Sequence, residues 1–225
     1  MSSIFDINSL RGRKRHVARS GLGPKIAGRI SKVVRTWYDR AMIELDQPEY
    51  IEEVFKDIVF TDVNISGKAF TECRFMKCDF TEADISYCHF DDCVFEGCNL
   101  SNPKLNHAKL MNVEFRQCKL AGLRFYQCDQ AVFDLVFEEC RMMNCNFSDL
   151  KMKRSKFTKC DIVSCYFQNT FLVEADFSGS MFRETLFSAC DLRKASFYDA
   201  HGYSIDPRSN QIEKAIFSTP FEIKN

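Results

Sequence analysis

Between Phe60 and Phe197 the chain sets an apolar residue at every fifth position. The first run is Phe60, Ile65, Phe70, Phe75, Phe80, Ile85, Phe90, Phe95, Leu100, Leu105, Leu110, Phe115, Leu120 and Phe125. After a two-residue slip it resumes as Val132, Phe137, Met142, Phe147, Met152, Phe157, Ile162, Phe167, Leu172, Phe177, Phe182, Phe187, Leu192 and Phe197. These 28 positions hold 16 of the 22 phenylalanines. A period of five fits neither a helix, at about 3.6 residues per turn, nor a strand, at about two. A short fixed period marks a solenoid, in which each unit buries its apolar side only by stacking on its neighbours.

The residue two before an apolar centre is usually small, as at Cys73, Cys78, Ala83, Cys93, Ala108, Ser155, Thr170, Ala175 and Ala195. One large and one small inward residue per five suit a tight coil with a filled interior. The residues between, such as Thr81-Glu82, Asp91-Asp92, Glu138-Glu139 and Arg193-Lys194, are mostly polar and are expected to face water. The units Cys78-Asp79-Phe80-Thr81-Glu82, Ala175-Asp176-Phe177-Ser178-Gly179 and Cys190-Asp191-Leu192-Arg193-Lys194 closely resemble those of the pentapeptide-repeat family over about residues 57–200. The resemblance implies an all-β solenoid: a right-handed quadrilateral β-helix of about seven coils, four units per coil. Residues twenty apart are then expected to stack, so that Phe75/Phe95/Phe115 and Phe157/Phe177/Phe197 form internal ladders.

Twelve cysteines invite a disulfide or zinc reading, and their positions argue against both. Eleven stand two before a centre, and Cys128 keeps the first register one step into the slip. Zinc needs convergent ligands, usually in closely spaced pairs, whereas a spacing of five sends neighbours to different faces. Stacked pairs such as Cys73/Cys93 or Cys140/Cys160 lie within reach of a bond. Yet the column also accepts Ala, Ser and Thr, as a small buried position does. Reduced buried thiols are expected, with no metal and no cofactor, in a reducing compartment, most simply the cytoplasm. Met1–Asp6 lacks a basic region followed by an apolar run, so no signal peptide is expected. No run of about 18 apolar residues calls for a membrane-spanning helix.

The chain divides into a basic, partly helical extension (1–48), the repeat (49–202) with its slip at 126–131, and a closing segment (203–225). Net charge is zero, but residues 11–40 carry ten Lys/Arg against Asp39 alone. Pro24 suits a helix start, and Ile26, Ile30, Val33, Val34, Trp37, Ala41 and Leu45 fall on one helical stripe. Asp46 with Glu49 three residues on reads as a second helix start, continued by Ile51, Val54, Phe55 and Ile58. The extension caps the open first coil, tethers the rod to an anionic membrane, a partner or nucleic acid, or is a targeting peptide. The cluster Arg11, Arg13, Lys14 and Arg15 is its densest charge. After Phe197 the register puts Gly202 inside and the repeat stops, while Ile212 and Phe217 keep the five-residue spacing.

No catalytic motif appears: there is no phosphate-binding Gly loop, no H-E-x-x-H and no nucleophile elbow. The expected function is a non-enzymatic scaffold, monomeric or dimeric, presenting its faces to a protein partner. The resemblance implies one alternative, binding of bacterial DNA gyrase or topoisomerase IV by DNA mimicry, as in the Qnr-type quinolone-resistance members. The first coils are acidic enough, with Asp62, Glu72, Glu82, Asp91, Asp92 and Glu96. The chain departs from a polyanion mimic at Lys151, Lys153, Arg154, Lys156 and Lys159, which stand with no acid among them, and in lacking long projecting loops. Together with the basic cluster at 11–15, these residues are the candidate interaction surfaces.

Overall fold

A computed structural model describes residues 45–61, 63–129 and 135–218. Almost all regular structure in it is short parallel strand, each of two to four residues. Each strand pairs with the strand one coil away, as in Tyr50↔Phe70, Phe70↔Phe90 and Phe90↔Leu110. The offset is twenty residues, so four five-residue sides close each coil. The four faces are named here by their inward residues: first (Tyr50, Phe70, Phe90), second (Phe55, Phe75, Phe95), third (Phe60, Phe80, Leu100) and fourth (Ile65, Ile85, Leu105). All of these are buried.

The inward column of the second face holds nine phenylalanines in unbroken stack. From Phe55 through Phe75, Phe95, Phe115, Phe137, Phe157, Phe177 and Phe197 to Phe217, successive ring centroids lie 4.9, 4.6, 5.1, 5.2, 4.9, 4.9, 4.8 and 5.4 Å apart. The two expected ladders are one column, and it makes about eight turns rather than seven because the coil begins before Phe60 and continues past Phe197. The partner column changes along the rod. Low down, Tyr50, Phe70 and Phe90 meet it edge-on from the first face; higher up, Phe147, Phe167 and Phe187 do so from the fourth. Stacked and edge-to-face contacts are the two arrangements that the ring quadrupole favours.

The corner residue, two after a centre, commonly has positive φ. Among the described residues twenty-four non-glycine residues adopt it, among them Glu52, Glu72, Glu82, Asp92 and Arg154. A left-handed residue with a Cβ costs about 1–2 kcal/mol. The corner N–H offsets part of this by donating to the adjacent coil, as Glu72 N does to Asp91 O at 2.8 Å and Lys159 N to Ser178 O at 3.0 Å.

Three local departures have physical reasons. The helix expected from Asp46 through Ile58 is absent; Glu49–Ile51 and Val54–Lys56 are strands, with Tyr50 and Phe55 in the five-residue register and Ile51 exposed. Leu45 is in register too and buried. A helix there would have left the column without its lowest rungs. Across the slip the offset widens to twenty-two, as in Lys119↔Arg141 and Val113↔Leu135, and Phe115 still stacks on Phe137. Near the top, Gly202 stands where a centre is due; an added Cβ would lie 2.3 Å from Phe182 O. Tyr203 turns inward instead, its ring 5.0 Å from that of Phe197 and its hydroxyl donating to Ser218 O. The helix expected over 24–45 lies outside the described residues except for Leu45. No helix among the described residues is long and apolar enough to cross a membrane.

Phe95 has aromatic neighbours above, below and on both sides. Phe95→Ala is expected to cost about 3–5 kcal/mol by the cavity it leaves, and Phe95→Asp to yield no folded protein, because a buried carboxylate finds no cation there. Thermal melts of purified variants check this; an Asp variant melting cooperatively near the wild-type temperature would refute the register.

Candidate functional site

In every coil the residues flanking a centre point outward, so the surface is a grid with one row per coil. The sequence places charge on this grid at two levels. Glu72 and Asp92 share the corner between the first and second faces with Glu52, all three at positive φ and exposed. Asp91 lies beside them on the first face and Glu96 on the second, where Arg74 Nη2 reaches Glu96 Oε2 at 3.4 Å. Glu82 stands on the diagonally opposite corner, away from this group. Asp62 and the cluster Arg11, Arg13, Lys14 and Arg15 lie outside the described residues.

Higher on the rod, Lys151 and Lys153 flank Met152 on the first face, and Arg154 follows on the Glu72/Asp92 corner. Lys156 sits on the second face and Lys159 on the corner after it. The structure spreads these bases over the first and second faces and their corners, and ladders part of their charge. Glu174, one coil above Arg154, takes Arg154 Nε at 3.0 Å and Lys194 Nζ at 3.3 Å. The Arg154 guanidinium, then Lys194, hold the Glu174 carboxyl below its ordinary range. Lys159 lies 3.8 Å from Glu139. Asp161 on the third face takes Arg183 through both oxygens, at 2.7 and 2.8 Å. Lys151, Lys153 and Lys156 make no ion pair among the described residues. Such exposed, solvent-screened pairs add little stability; their effect is to replace a single-sign field with alternating charge.

The fourth face differs. From Asn146 to Ser188 its outward residues are Asn146, Ser148, Tyr166, Gln168, Leu186 and Ser188, none charged. Tyr166 and Leu186 pair across adjacent coils and are 47% and 48% exposed. Phe171, half-exposed, lies around the next corner on the first face. This face is missing from the sequence-derived candidates, although the register contains the signal: Tyr166 and Leu186 immediately precede the centres Phe167 and Phe187 and so must point out. Lower on the same edge, Tyr87 stacks on His107 at 5.1 Å, and His107 Nδ1 lies 3.3 Å from Asp129 Oδ1. His89 is exposed on the first face.

Inside, all twelve cysteines are buried and unbridged. Five of them, Cys78, Cys98, Cys118, Cys140 and Cys160, occupy one column beside the third face, and each donates its S–H to the carbonyl of an inward phenylalanine: Phe55, Phe75, Phe95, Phe115 and Phe137, at 3.2–3.5 Å. The role requires the proton. Burial pushes the Cys88 thiol up to about 11 and Cys128 up to about 12. Among the described residues no group of three His, Cys, Asp or Glu converges to hold a metal ion. Fewer than one thiol per chain is therefore expected to react with an aromatic disulfide reagent at pH 8 in the native state, and all twelve in denaturant. Rapid native labelling of several would contradict the packing.

Two family models match the chain. One, a pentapeptide repeat region, covers residues 68–140, and the other, pentapeptide repeats (8 copies), covers residues 160–199; together they span just over half of it. No curated protein sequence matches. Among solved structures, a trypsin-treated variant of QnrB1, a plasmid-mediated fluoroquinolone resistance protein, is 16% identical with a TM-score of 0.47, over 76% of this chain and 92% of that one. HetL, a pentapeptide repeat protein involved in heterocyst differentiation regulation from the cyanobacterium Nostoc sp. strain PCC 7120, is 13% identical with a TM-score of 0.37, over 75% and 84%. Rfr23 from the cyanobacterium Cyanothece 51142 is 8% identical with a TM-score of 0.29, over 76% and 92%.

Proposed function

The chain belongs to the pentapeptide-repeat family, and from that premise we propose that it is a non-enzymatic scaffold that holds a protein partner against the uncharged fourth face. The observation that carries this reading is the outward row Tyr166–Leu186 within a charge-free stretch of an otherwise charged rod. Interface cores are depleted in charge and enriched in aromatic residues, and tyrosine is a frequent hot spot. The strands beneath are held on both sides by the ladder, so the face is presented already ordered and little conformational entropy is lost on docking. Lys151 and Lys153, on the adjoining first face, border the same coils and serve as a polar rim that steers an acidic partner.

The test uses Tyr166→Glu with Leu186→Glu. Both side chains are half-exposed, so the double variant is expected to melt within a few degrees of wild type. A photo-crosslinking residue at Gln168 should capture one protein species, and the purified partner should bind the double variant at least about tenfold more weakly, a loss of about 1.4 kcal/mol. Equal binding by wild type and double variant would refute the reading.

A topoisomerase partner is the second reading, favoured by the acidic column Glu52, Glu72 and Asp92. The column spans only three coils, and above it Arg154, Glu174 and Lys194 alternate in sign, which suits a DNA mimic poorly. Purified gyrase is therefore expected to supercoil DNA undisturbed at a large molar excess of this protein, with or without a quinolone. Inhibition, or rescue from the drug, would establish the second reading instead.

A further inference from the structure

The apolar row of the upper fourth face continues around the corner onto the first. Phe171 immediately precedes the centre Leu172 and so points outward; its side chain is 50% exposed, which leaves half of a large ring still to be buried. The corner between is low: Ala189 stands there, exposed and at positive φ, one coil above Asn169. Cations bracket the ring. Lys151 pairs with Phe171 from the coil below and Asp191 from the coil above. Lys151 and Lys153 make no ion pair among the described residues, and Asp149, at the corner of the same coil, accepts from Asn169 Nδ2 at 2.8 Å. The row above departs from the rest of the repeat. Asp79 and Asp176 hold the same place in their units, and each accepts from a hydroxyl two residues on, that of Thr81 or Ser178. Asp191 instead accepts from Arg193, with Nε at 2.8 Å and Nη2 at 2.6 Å. Its carboxylate is 4% exposed while the arginine side chain remains half-exposed. Arg193 is thereby fixed on the first face, with Nη1 left to donate elsewhere, and a donor already fixed loses little entropy on binding.

We infer that the protein partner of the fourth face reaches over this corner with an acidic segment, setting an apolar side chain on Phe171 and carboxylates on Lys151 and Lys153 below it and on Arg193 Nη1 above it. The inference rests on the fourth-face reading and adds the chemistry of the partner. Successive rows stand roughly 4.8 Å apart, so an apolar residue seated on Phe171 has a cationic group within reach of an acid placed on either side of it. A basic segment would meet like charge at Lys151 and Lys153, and a neutral one would cover them without a counter-charge. The two lysines therefore decide which apolar segments are accepted. Phe171 supplies the anchor and Arg193 the directed hydrogen bond, a pairing of aromatic and arginine that interface hot spots favour.

The test selects a displayed library of random linear peptides on the full-length protein. Sequences with an aliphatic or aromatic residue flanked by Asp or Glu are expected. As synthetic peptides they should bind Phe171→Ala, and separately the pair Lys151→Glu, Lys153→Glu, at least about tenfold more weakly than wild type. The lysine reversal should in turn gain affinity for the same peptides with Lys in place of their acids, a switch that a misfolded protein cannot give. All substituted side chains are exposed, and thermal melts confirm that the variants stay folded. Enriched peptides without acidic bias, equal binding by Phe171→Ala and wild type, or no enrichment at all would overturn the inference. The variant Tyr166→Glu, Leu186→Glu separates it from the reading beneath it. Peptides that need Tyr166 and Leu186 but ignore Phe171 and the lysines refute the corner alone. Peptides that need Phe171 and the lysines but ignore Tyr166 and Leu186 keep the acidic-segment site and refute the fourth-face reading.

Discussion

The stacking of one phenylalanine ring on the next, once per coil, is the interaction on which the rest of the molecule depends. The column from Phe55 to Phe217 holds its spacing near that of hydrogen-bonded strands, so ring stacking and backbone pairing demand the same rise. Neither can be satisfied without the other. Each buried ring contributes roughly 1.5–3 kcal/mol, and the column survives even the two-residue slip, where Phe115 meets Phe137. The insertion is tolerated because the second face keeps its register across it, with Val113 pairing Leu135. The stability of such an array is close to a sum over nearest-neighbour interfaces, which makes the two terminal coils its weak points.

The same constraint determines what the corners must tolerate. A turn every five residues forces the residue two past each centre into the left-handed region, and most of these corners carry a side chain. Glutamate, lysine and even Ala189 adopt it, which a free peptide would resist. The adjacent coil supplies the carbonyl that each corner N–H needs, so the conformation is imposed by tertiary pairing rather than by local preference. Local preference therefore says little about individual corners, and the chain is free to vary their charge. Electrostatic patterning is the consequence: charges twenty residues apart become neighbours, as Arg154, Glu174 and Lys194 do.

Much of this was legible in the residues. The period of five, the small position two before each centre and the buried thiols follow from repetition, and repetition is robust to single exceptions. Two failures are instructive. Residues 46–58 were read as helix because Ile51, Val54, Phe55 and Ile58 also fit a helical stripe; thirteen residues are too few to separate periods of 3.6 and five, and Tyr50 and Phe55 went unrecognised as centres. The candidate surfaces were chosen by charge, which is conspicuous in a sequence. The structure instead pairs several of those charges across coils, while Tyr166 and Leu186 become prominent only once the outward positions are aligned by face. Gly202 interrupts the centres, as its place in the register suggests, yet the second-face column runs on to Phe217; that Tyr203 fills the vacated position depends on three-dimensional room above Phe197.

Because the interior is nearly invariant from coil to coil, whatever distinguishes this rod from another of the same architecture must lie in its outward rows and its ends. Two features stand out against the background of alternating charge. One is the uncharged fourth face, where the cost of desolvating a docking surface is lowest. The other is the acidic base, where uncompensated carboxylates make the same cost highest unless a cation accompanies them. A partner drawn to the first needs no counter-charge; an occupant of the second must bring one.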